Sequence, residues 1–191
     1  VSSYDSLEEK FGNWDDLKSI SKNHVLMADL VLNHVSSSHP WVQQFIKSQE
    51  PGISNVFSPV ENLDWSNVVR PRSSSLFSQI NTEDGLKQVW TTFGPDQIDL
   101  NWHNPKMTLE FLNLIITYLS NGIKWFRLDA VGFIWKESGT TCLHLPKAHS
   151  IVKVLRVLLN NLLDDGVLIT ETNVPQKENL SYLIPEDEAH M

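Results

Sequence analysis

The chain has 191 residues, of which 41% are hydrophobic and 20% are charged, a composition typical of an ordinary globular protein. Its formal net charge of -8 argues against a nucleic acid or an anionic membrane surface as the main partner. A single cysteine, Cys142, excludes a disulfide framework and favours a reducing, cytoplasmic setting in which this thiol packs as an ordinary side chain.

The sequence shows neither a membrane-spanning run nor a secretory signal at its start. No apolar stretch approaches the roughly 18 residues that a spanning helix needs. The first residue is Val1 rather than an initiator Met, and we therefore expect the chain to be a piece of a longer protein.

The first part of the chain predicts a helix followed by a strand. Residues 14–22 have an amphipathic, helix-like pattern. Residues 25–32 form a short apolar run that is typical of a buried parallel strand, with Asp29 and His34 toward its carboxyl end. Taken alone, an Asp or a His at such a position is more often a satisfied core group than a catalyst.

The following segment, residues 36–105, is rich in Ser, Pro, Asn and Gln and lacks a long periodic element. It is too long for an ordinary connection, and we interpret it as an inserted subdomain. Arg70 and Arg72 either hold an anion such as phosphate or are solvent-exposed surface charges. The segment from Trp90 to Trp102 is either a sugar-contacting wall or a polar loop with two buried tryptophans.

Two helix–strand pairs complete the sequence. Apolar residues recur at helix spacing over residues 108–119 and 148–163. A short apolar run follows each helix; the first carries Arg127 and Asp129, and the second ends at Glu171. Residues two apart on a strand point to the same face, so Arg127 and Asp129 project side by side. A structural salt bridge is the simplest interpretation of that pair alone.

The alternation of strands and helices predicts an α/β protein with a parallel sheet. All three predicted strands end in polar or charged groups, and a (β/α)8 barrel collects its active site from such strand ends. A doubly wound sheet is the alternative, but the coincidence of three strands favours part of a (β/α)8 TIM barrel. The predicted division is a barrel segment over 1–35, an inserted subdomain over 36–105 and a second barrel segment over 106–191.

Two carboxylates from adjacent strands, Asp129 and Glu171, are what glycosidic-bond chemistry needs. We expect Arg127 to keep the pKa of Asp129 low, so that this group stays ionised as a nucleophile must. We expect Glu171, in a less charged wall, to stay protonated and to act as general acid and then as base. The carboxyl groups of a retaining enzyme lie about 5–5.5 Å apart.

Short stretches at these strand ends resemble the signature regions of the α-amylase superfamily, glycoside hydrolase family 13. The resemblance covers nearly the whole chain and implies the third, fourth and fifth barrel strands, with a further signature region in the inserted subdomain. The residues that carry it are, in chain order, Asp29, Asn33 and His34; Gln97, Asp99 and Asn101; Phe126, Arg127 and Asp129; and Ile169 and Glu171.

The resemblance implies a role for each of these positions. Asp129 is the expected nucleophile, Glu171 is the expected acid/base, and Arg127 positions the nucleophile. The expected substrate-binding residues are Arg127, His34, Asp29, Gln97 and Phe133.

Within the superfamily the chain is similar to the sucrose phosphorylase group, in which a loop arginine matched by Arg72 helps bind phosphate. The resemblance implies double displacement: glucosyl passes from sucrose or a related glucoside to phosphate, giving α-glucose 1-phosphate with retention. Phosphate is then a co-substrate, and we expect no cofactor and no metal. Asn173 departs from the sucrose phosphorylases proper, and this form resembles relatives that act on glucosylglycerate or sucrose 6′-phosphate.

The superfamily's His-Asp signature, which supplies a transition-state-stabilising Asp, has no counterpart in the chain. We therefore expect this segment not to turn over substrate alone. The alternatives are an α-glucosidase or amylase-type hydrolase, an inactive truncated product and a non-catalytic sugar-binding protein.

Overall fold

The computed structural model describes residues 1–60, 62–172 and 179–182. The helices are α1 (Trp14–Ser21), α2 (Pro40–Ile46), α3 (Gly52–Asn55), α4 (Pro105–Ser120) and α5 (Pro146–Leu162). The strands are β1 (Leu26–Val31), β2 (His34–Ser36), β3 (Phe77–Thr82), β4 (Gly85–Trp90), β5 (Gln97–Asp99), β6 (Ile123–Asp129) and β7 (Val167–Thr170). Short 3-10 turns cover Glu9–Phe11, Val131–Phe133 and Leu180–Tyr182. Within the described ranges, no helix is both long and apolar enough to cross a membrane.

Three parallel strands form the sheet that positions the site, in the order β1-β6-β7. In the register of β1 and β6, Asp29 lies opposite Arg127 and Val31 lies opposite Asp129. In the register of β6 and β7, Arg127 lies opposite Ile169. The three strands predicted from the sequence are confirmed, and their carboxyl ends meet at one edge of the sheet.

Helices α4 and α5 precede β6 and β7 and hold the sheet through a shared apolar core. Phe111 and Ile115 of α4 and Leu155 of α5 belong to the same buried cluster as Phe126 and Leu128 of β6. Burying a side chain of this size contributes about 1.5–3 kcal/mol. The two predicted helices are confirmed, but part of the apolar pattern that predicted them is solvent-exposed among the described residues, at Leu109, Ile116, Val154 and Leu162.

The opposite face of the sheet, which carries Asp29 and Arg127, is open. On this face Met27, Trp125 and Ile169 are 52%, 38% and 40% exposed. The predicted burial of these strands therefore holds for the face that packs against the core, whereas the face with Asp29 and Arg127 is open to solvent among the described residues.

Two antiparallel pairs lie in the segment between β1 and α4. Strand β2 pairs with β5, which places His34 opposite Asp99, and β3 and β4 form a hairpin. The sequence analysis missed this hairpin, whose two turn residues are Glu83 and Asp84; Gly85, which begins β4, has a φ of 107°. The predicted boundaries of the inserted subdomain stay a prediction.

Candidate active site

The guanidinium of Arg127 joins three carboxylates at the end of the parallel sheet. Its Nη1 lies 3.0 Å from Asp29 Oδ1 and 3.1 Å from Asp129 Oδ1. Its Nη2 lies 2.8 Å from Glu171 Oε2. Glu171 directly follows β7, and its backbone N–H donates to the Leu128 carbonyl at 3.1 Å, which continues the sheet ladder by one residue. The side-by-side placement predicted for Arg127 and Asp129 is confirmed, and Glu171 joins the same cluster.

The expectation of a low pKa for Asp129 is wrong in this arrangement. Burial, followed by a hydrogen bond to Glu171 and the charge of that group, raises the pKa of Asp129 to about 6. Arg127 acts in the opposite direction but does not offset these effects. Two carboxyl groups in direct contact cannot both ionise cheaply, so they hold a proton more tightly than either would alone.

His34, the first residue of β2, lines the same cleft as Asp129 and Glu171. Its Nε2 lies 2.9 Å from Gln97 Nε2, and its ring centroid lies 5.0 Å from that of Phe93. Burial is the largest effect on this imidazole and lowers the pKa of His34 to about 4. His34 is therefore neutral at pH 7 and offers a polar contact without a charge.

A cleft of about 500 Å³ opens beside the carboxylates. Six of the residues predicted from the sequence line it: Asp129, Glu171, His34, Gln97, Phe133 and Arg72. The other two lie beneath or beside it: Arg127 binds the carboxylates, and Asp29 contacts Arg127 with a side chain that is 55% exposed.

The backbone after β6 aims Phe133 at this cleft. Ala130 has a φ of 53°, a left-handed conformation that costs a non-glycine residue about 1 kcal/mol or more. The chain then turns through Val131–Phe133, and the Phe133 ring packs edge-on against Phe93 at 5.4 Å.

The two arginines of the inserted segment have different surroundings. Arg70 Nη2 donates to the carbonyls of Ser75 at 3.0 Å and Thr91 at 3.4 Å, and Arg70 Nη1 donates to the Ser74 carbonyl. These bonds tie the loop to the end of β4. Arg72 is exposed on the wall of the cleft that contains Asp129. The sequence could not separate the two roles, because the Thr91 carbonyl that helps to hold Arg70 lies 21 positions away in the chain.

Trp90 and Trp102 are 1% and 3% exposed, so the interpretation of this segment as a loop with two buried tryptophans is confirmed. The indole N–H of Trp102 donates to the Leu32 carbonyl at 2.7 Å. Phe93 and Gln97, between the tryptophans, line the cleft. Phe93 was not predicted as a site residue; its place in a short aromatic and threonine run was the signal available.

The described residues contain no group of three or more His, Cys, Asp or Glu side chains placed to hold a metal ion. The carboxamide oxygen of Asn33 accepts a hydrogen bond from Lys136 Nζ at 2.7 Å.

Asn173, on which the departure from the sucrose phosphorylases rests, lies outside the described residues. Cys142 is 3% exposed, which confirms that it is a packed thiol.

Comparison with known proteins identifies the family. The sequence pattern of the alpha-amylase catalytic domain matches residues 1–190. The chain belongs to the alpha-amylase family. It is 45% identical over 183 residues to the glucosylglycerate phosphorylase of Allomeiothermus silvanus, covering 95% of this chain and 33% of that protein. It is 41% identical over 194 residues to the glucosylglycerate phosphorylase of Escherichia coli K12, covering 100% and 34%.

A solved structure agrees with this assignment. The crystal structure of sucrose 6F-phosphate phosphorylase from Thermoanaerobacter thermosaccharolyticum superposes with a TM-score of 0.85 at 25% identity, covering 99% of this chain and 41% of that one. The resemblance to the α-amylase superfamily and the prediction of part of a (β/α)8 TIM barrel are both confirmed. The chain spans about a third of the length of these curated relatives.

Proposed function

We propose that this chain is the central catalytic segment of a retaining α-glucoside phosphorylase. The enzyme transfers glucosyl from glucosylglycerate, sucrose or sucrose 6′-phosphate to inorganic phosphate and releases α-glucose 1-phosphate. The observation that carries the proposal is the cleft in which Arg72 stands with Asp129 and Glu171. The identity to relatives named glucosylglycerate phosphorylases favours glucosylglycerate as the donor.

In the first step, the Asp129 carboxylate attacks the anomeric carbon and forms a glucosyl ester. The bond to the leaving oxygen breaks, and the Glu171 carboxyl donates its proton to that oxygen. A pKa of about 6 leaves most Asp129 ionised at pH 7, as this attack requires.

In the second step, a phosphate oxygen attacks the same carbon from the face that the leaving group vacated. The ester bond to Asp129 breaks, and Glu171 accepts the proton of the attacking phosphate. Two inversions give net retention. Arg127 contacts Asp129 through Nη1 and Glu171 through Nη2, so it can compensate the charge of both groups at both stages.

The remaining lining residues suit a sugar and an anion. Neutral His34 and the Gln97 amide offer hydrogen bonds to hydroxyl groups, while Phe133 and Phe93 offer apolar faces to the sugar ring. Arg72 presents a planar fork of N–H donors that matches phosphate oxygens. As part of this proposal, phosphate is the only co-substrate and the enzyme works in a reducing cytoplasm.

The test uses the full-length enzyme that contains this chain. Glucosylglycerate, sucrose and sucrose 6′-phosphate are each incubated with and without phosphate, and glucose 1-phosphate and free glucose are quantified. We expect phosphate-dependent glucose 1-phosphate from at least one donor, and its loss in Asp129→Asn. Free glucose at the same rate with or without phosphate would move the assignment to the hydrolase alternative.

A matched pair of variants tests the anion role. Arg72→Ala is expected to raise the KM for phosphate about 10-fold or more, because one charge-assisted contact is worth about 1.5–3 kcal/mol. Lys87→Ala removes an exposed cation on β4 that lies away from the cleft, and it is expected to leave that KM unchanged. An equal effect of both variants would show that only long-range charge matters and would remove Arg72 from the site.

A further inference from the structure

Lys136 is a charged side chain buried behind the cleft wall. The residue is 2% exposed, and its ammonium donates to three oxygens: Phe133 O at 2.6 Å, Asn33 Oδ1 at 2.7 Å and Asp99 Oδ2 at 2.7 Å. An ammonium has three donors, so these contacts use its full capacity. The proposed mechanism gives this lysine no role.

The partner carboxylate, Asp99, is fully buried and has further bonds. Its Oδ1 accepts from the Thr92 N–H at 3.0 Å, and its Oδ2 accepts from Thr92 Oγ1 at 2.6 Å and from Asn33 Nδ2 at 2.9 Å. We call Lys136, Asp99, Asn33 and Thr92 the Lys136 network. Burial lowers the pKa of Lys136, and the Asp99 carboxylate acts against this effect.

The Lys136 network is connected to three ring-bearing residues of the cleft, His34, Phe93 and Phe133. Asn33 precedes His34, Thr92 precedes Phe93, and Phe133 supplies one of the carbonyls that accept from Lys136. The three rings touch in sequence, with centroids 5.0 Å apart for His34 and Phe93 and 5.4 Å apart for Phe93 and Phe133. The loops after β1, β4 and β6 therefore converge on one ammonium.

Stability alone does not account for such an arrangement. Desolvating two charges costs several kcal/mol, and replacing a buried ion pair by apolar groups is often neutral or stabilising. The ion pair instead constrains geometry, because each of the three acceptor oxygens must lie at hydrogen-bond distance from the same small ammonium. A ring shifted by about 1 Å in an active site can lower the rate on the order of 100-fold.

We infer that Lys136 is a positioning residue, whose ammonium fixes the relative placement of His34, Phe93 and Phe133 and so seats the glucosyl ring against Asp129. The inference rests on the proposed function only in taking the bound group to be a glucosyl ring. It holds whether phosphate or water accepts that group.

The test compares two neutralised ion pairs in the full-length enzyme. The double variant Lys136→Met with Asp99→Asn removes the buried pair without leaving an unpaired charge. The matched control, Lys124→Met with Asp165→Asn, neutralises an exposed pair whose Nζ and Oδ2 atoms lie 2.9 Å apart. The substrate is α-glucosyl fluoride, which reports glucosyl transfer to phosphate or water. Binding of D-glucose is measured by calorimetry, and the folded fraction by circular dichroism.

We expect kcat/KM per folded molecule to fall on the order of 100-fold in the double variant, with weaker glucose binding, and to stay unchanged in the control. A folded double variant with the wild-type kcat/KM and glucose affinity would overturn the inference, since a merely structural role changes only the folded fraction. Wild-type enzyme that neither transfers glucosyl nor binds glucose would overturn it as well. Phosphate-independent release of glucose by the wild type would contradict the phosphorylase proposal alone.

If the double variant does not fold, Thr92→Val decides the question. This substitution keeps the side-chain shape and the Lys136 pair but removes the hydroxyl that donates to Asp99 and accepts from the Trp90 indole. We expect lower kcat/KM in a folded enzyme. Wild-type kcat/KM for this variant would contradict the inference.

Discussion

At the scale of single residues, the shared environment of Asp129 and Glu171 sets the pH range of the site. Asp129, the proposed nucleophile, must be ionised to react, and its pKa is raised to about 6. We therefore expect kcat/KM of the full-length enzyme to be constant near pH 7 and to fall about 10-fold for each unit below pH 6. His34 has a pKa of about 4 and does not titrate in this interval. A pH profile between 4.5 and 8 checks this, and an acid limb centred near 4 would contradict it.

The same carboxylate links pH to stability. Because folding raises the pKa of Asp129 above its unfolded value, the ionised form is penalised in the folded state. The penalty is absent well below the unfolded pKa of 3.8, where both states are protonated, and is complete above the folded pKa of about 6. Asp129→Asn mimics the protonated group and is expected to raise the free energy of unfolding by about 1–2 kcal/mol at pH 7. Denaturant titrations at pH 7 and at about pH 3 measure this difference, which should vanish at the lower pH, about one unit below the unfolded pKa.

At the scale of elements, a glycine turn connects α4 to β6. Gly122 has a φ of 87°, and a Cβ added there would lie 2.2 Å from Ser21 Oγ. Gly139 also has a positive φ, of 76°, but a Cβ there would meet nothing within 4 Å. Gly139→Ala is therefore expected to cost about 1–2 kcal/mol from backbone strain alone, and Gly122→Ala more. Chemical denaturation of both variants compares them, and equal losses would mean that α1 yields freely at this contact.

The loop that carries Arg72 depends on Arg70. The guanidinium of Arg70 binds carbonyls on two segments, Ser75 and Thr91. Lysine keeps the charge but not the planar fork. Arg70→Lys is therefore expected to raise the KM for phosphate even though Arg72 is untouched, while turnover of α-glucosyl fluoride with water stays near the wild-type rate. An unchanged phosphate KM would show that the loop holds its shape without these bonds.

At the scale of the whole molecule, the described sheet has unfinished edges. Strands β1 and β7 each pair on one side only among the described residues, and Met27, Trp125 and Ile169 are open to solvent on one face. Unpaired edges and exposed apolar faces favour association. We expect the isolated 191-residue segment to bind a hydrophobic dye and to lack a cooperative thermal transition, whereas the full-length enzyme shows one. A sharp transition of the monomeric segment would contradict this.

The sequence by itself determined the order of the helices and strands that build the three-stranded parallel sheet, and the carboxylates at the ends of those strands. These features are local: charge inside an apolar run and helix-period spacing are visible within about ten residues. They sufficed to place Arg127, Asp129 and Glu171 together.

The tertiary structure decided the features that depend on burial and on distant partners. The pKa of Asp129 rises because Glu171 and the surrounding protein approach it from other strands. Arg70 is held by backbone carbonyls of its own loop and of Thr91, whereas Arg72 is exposed on the wall of the cleft. Lys136 meets Asn33 across 103 positions of the chain, so no local pattern could reveal the contact.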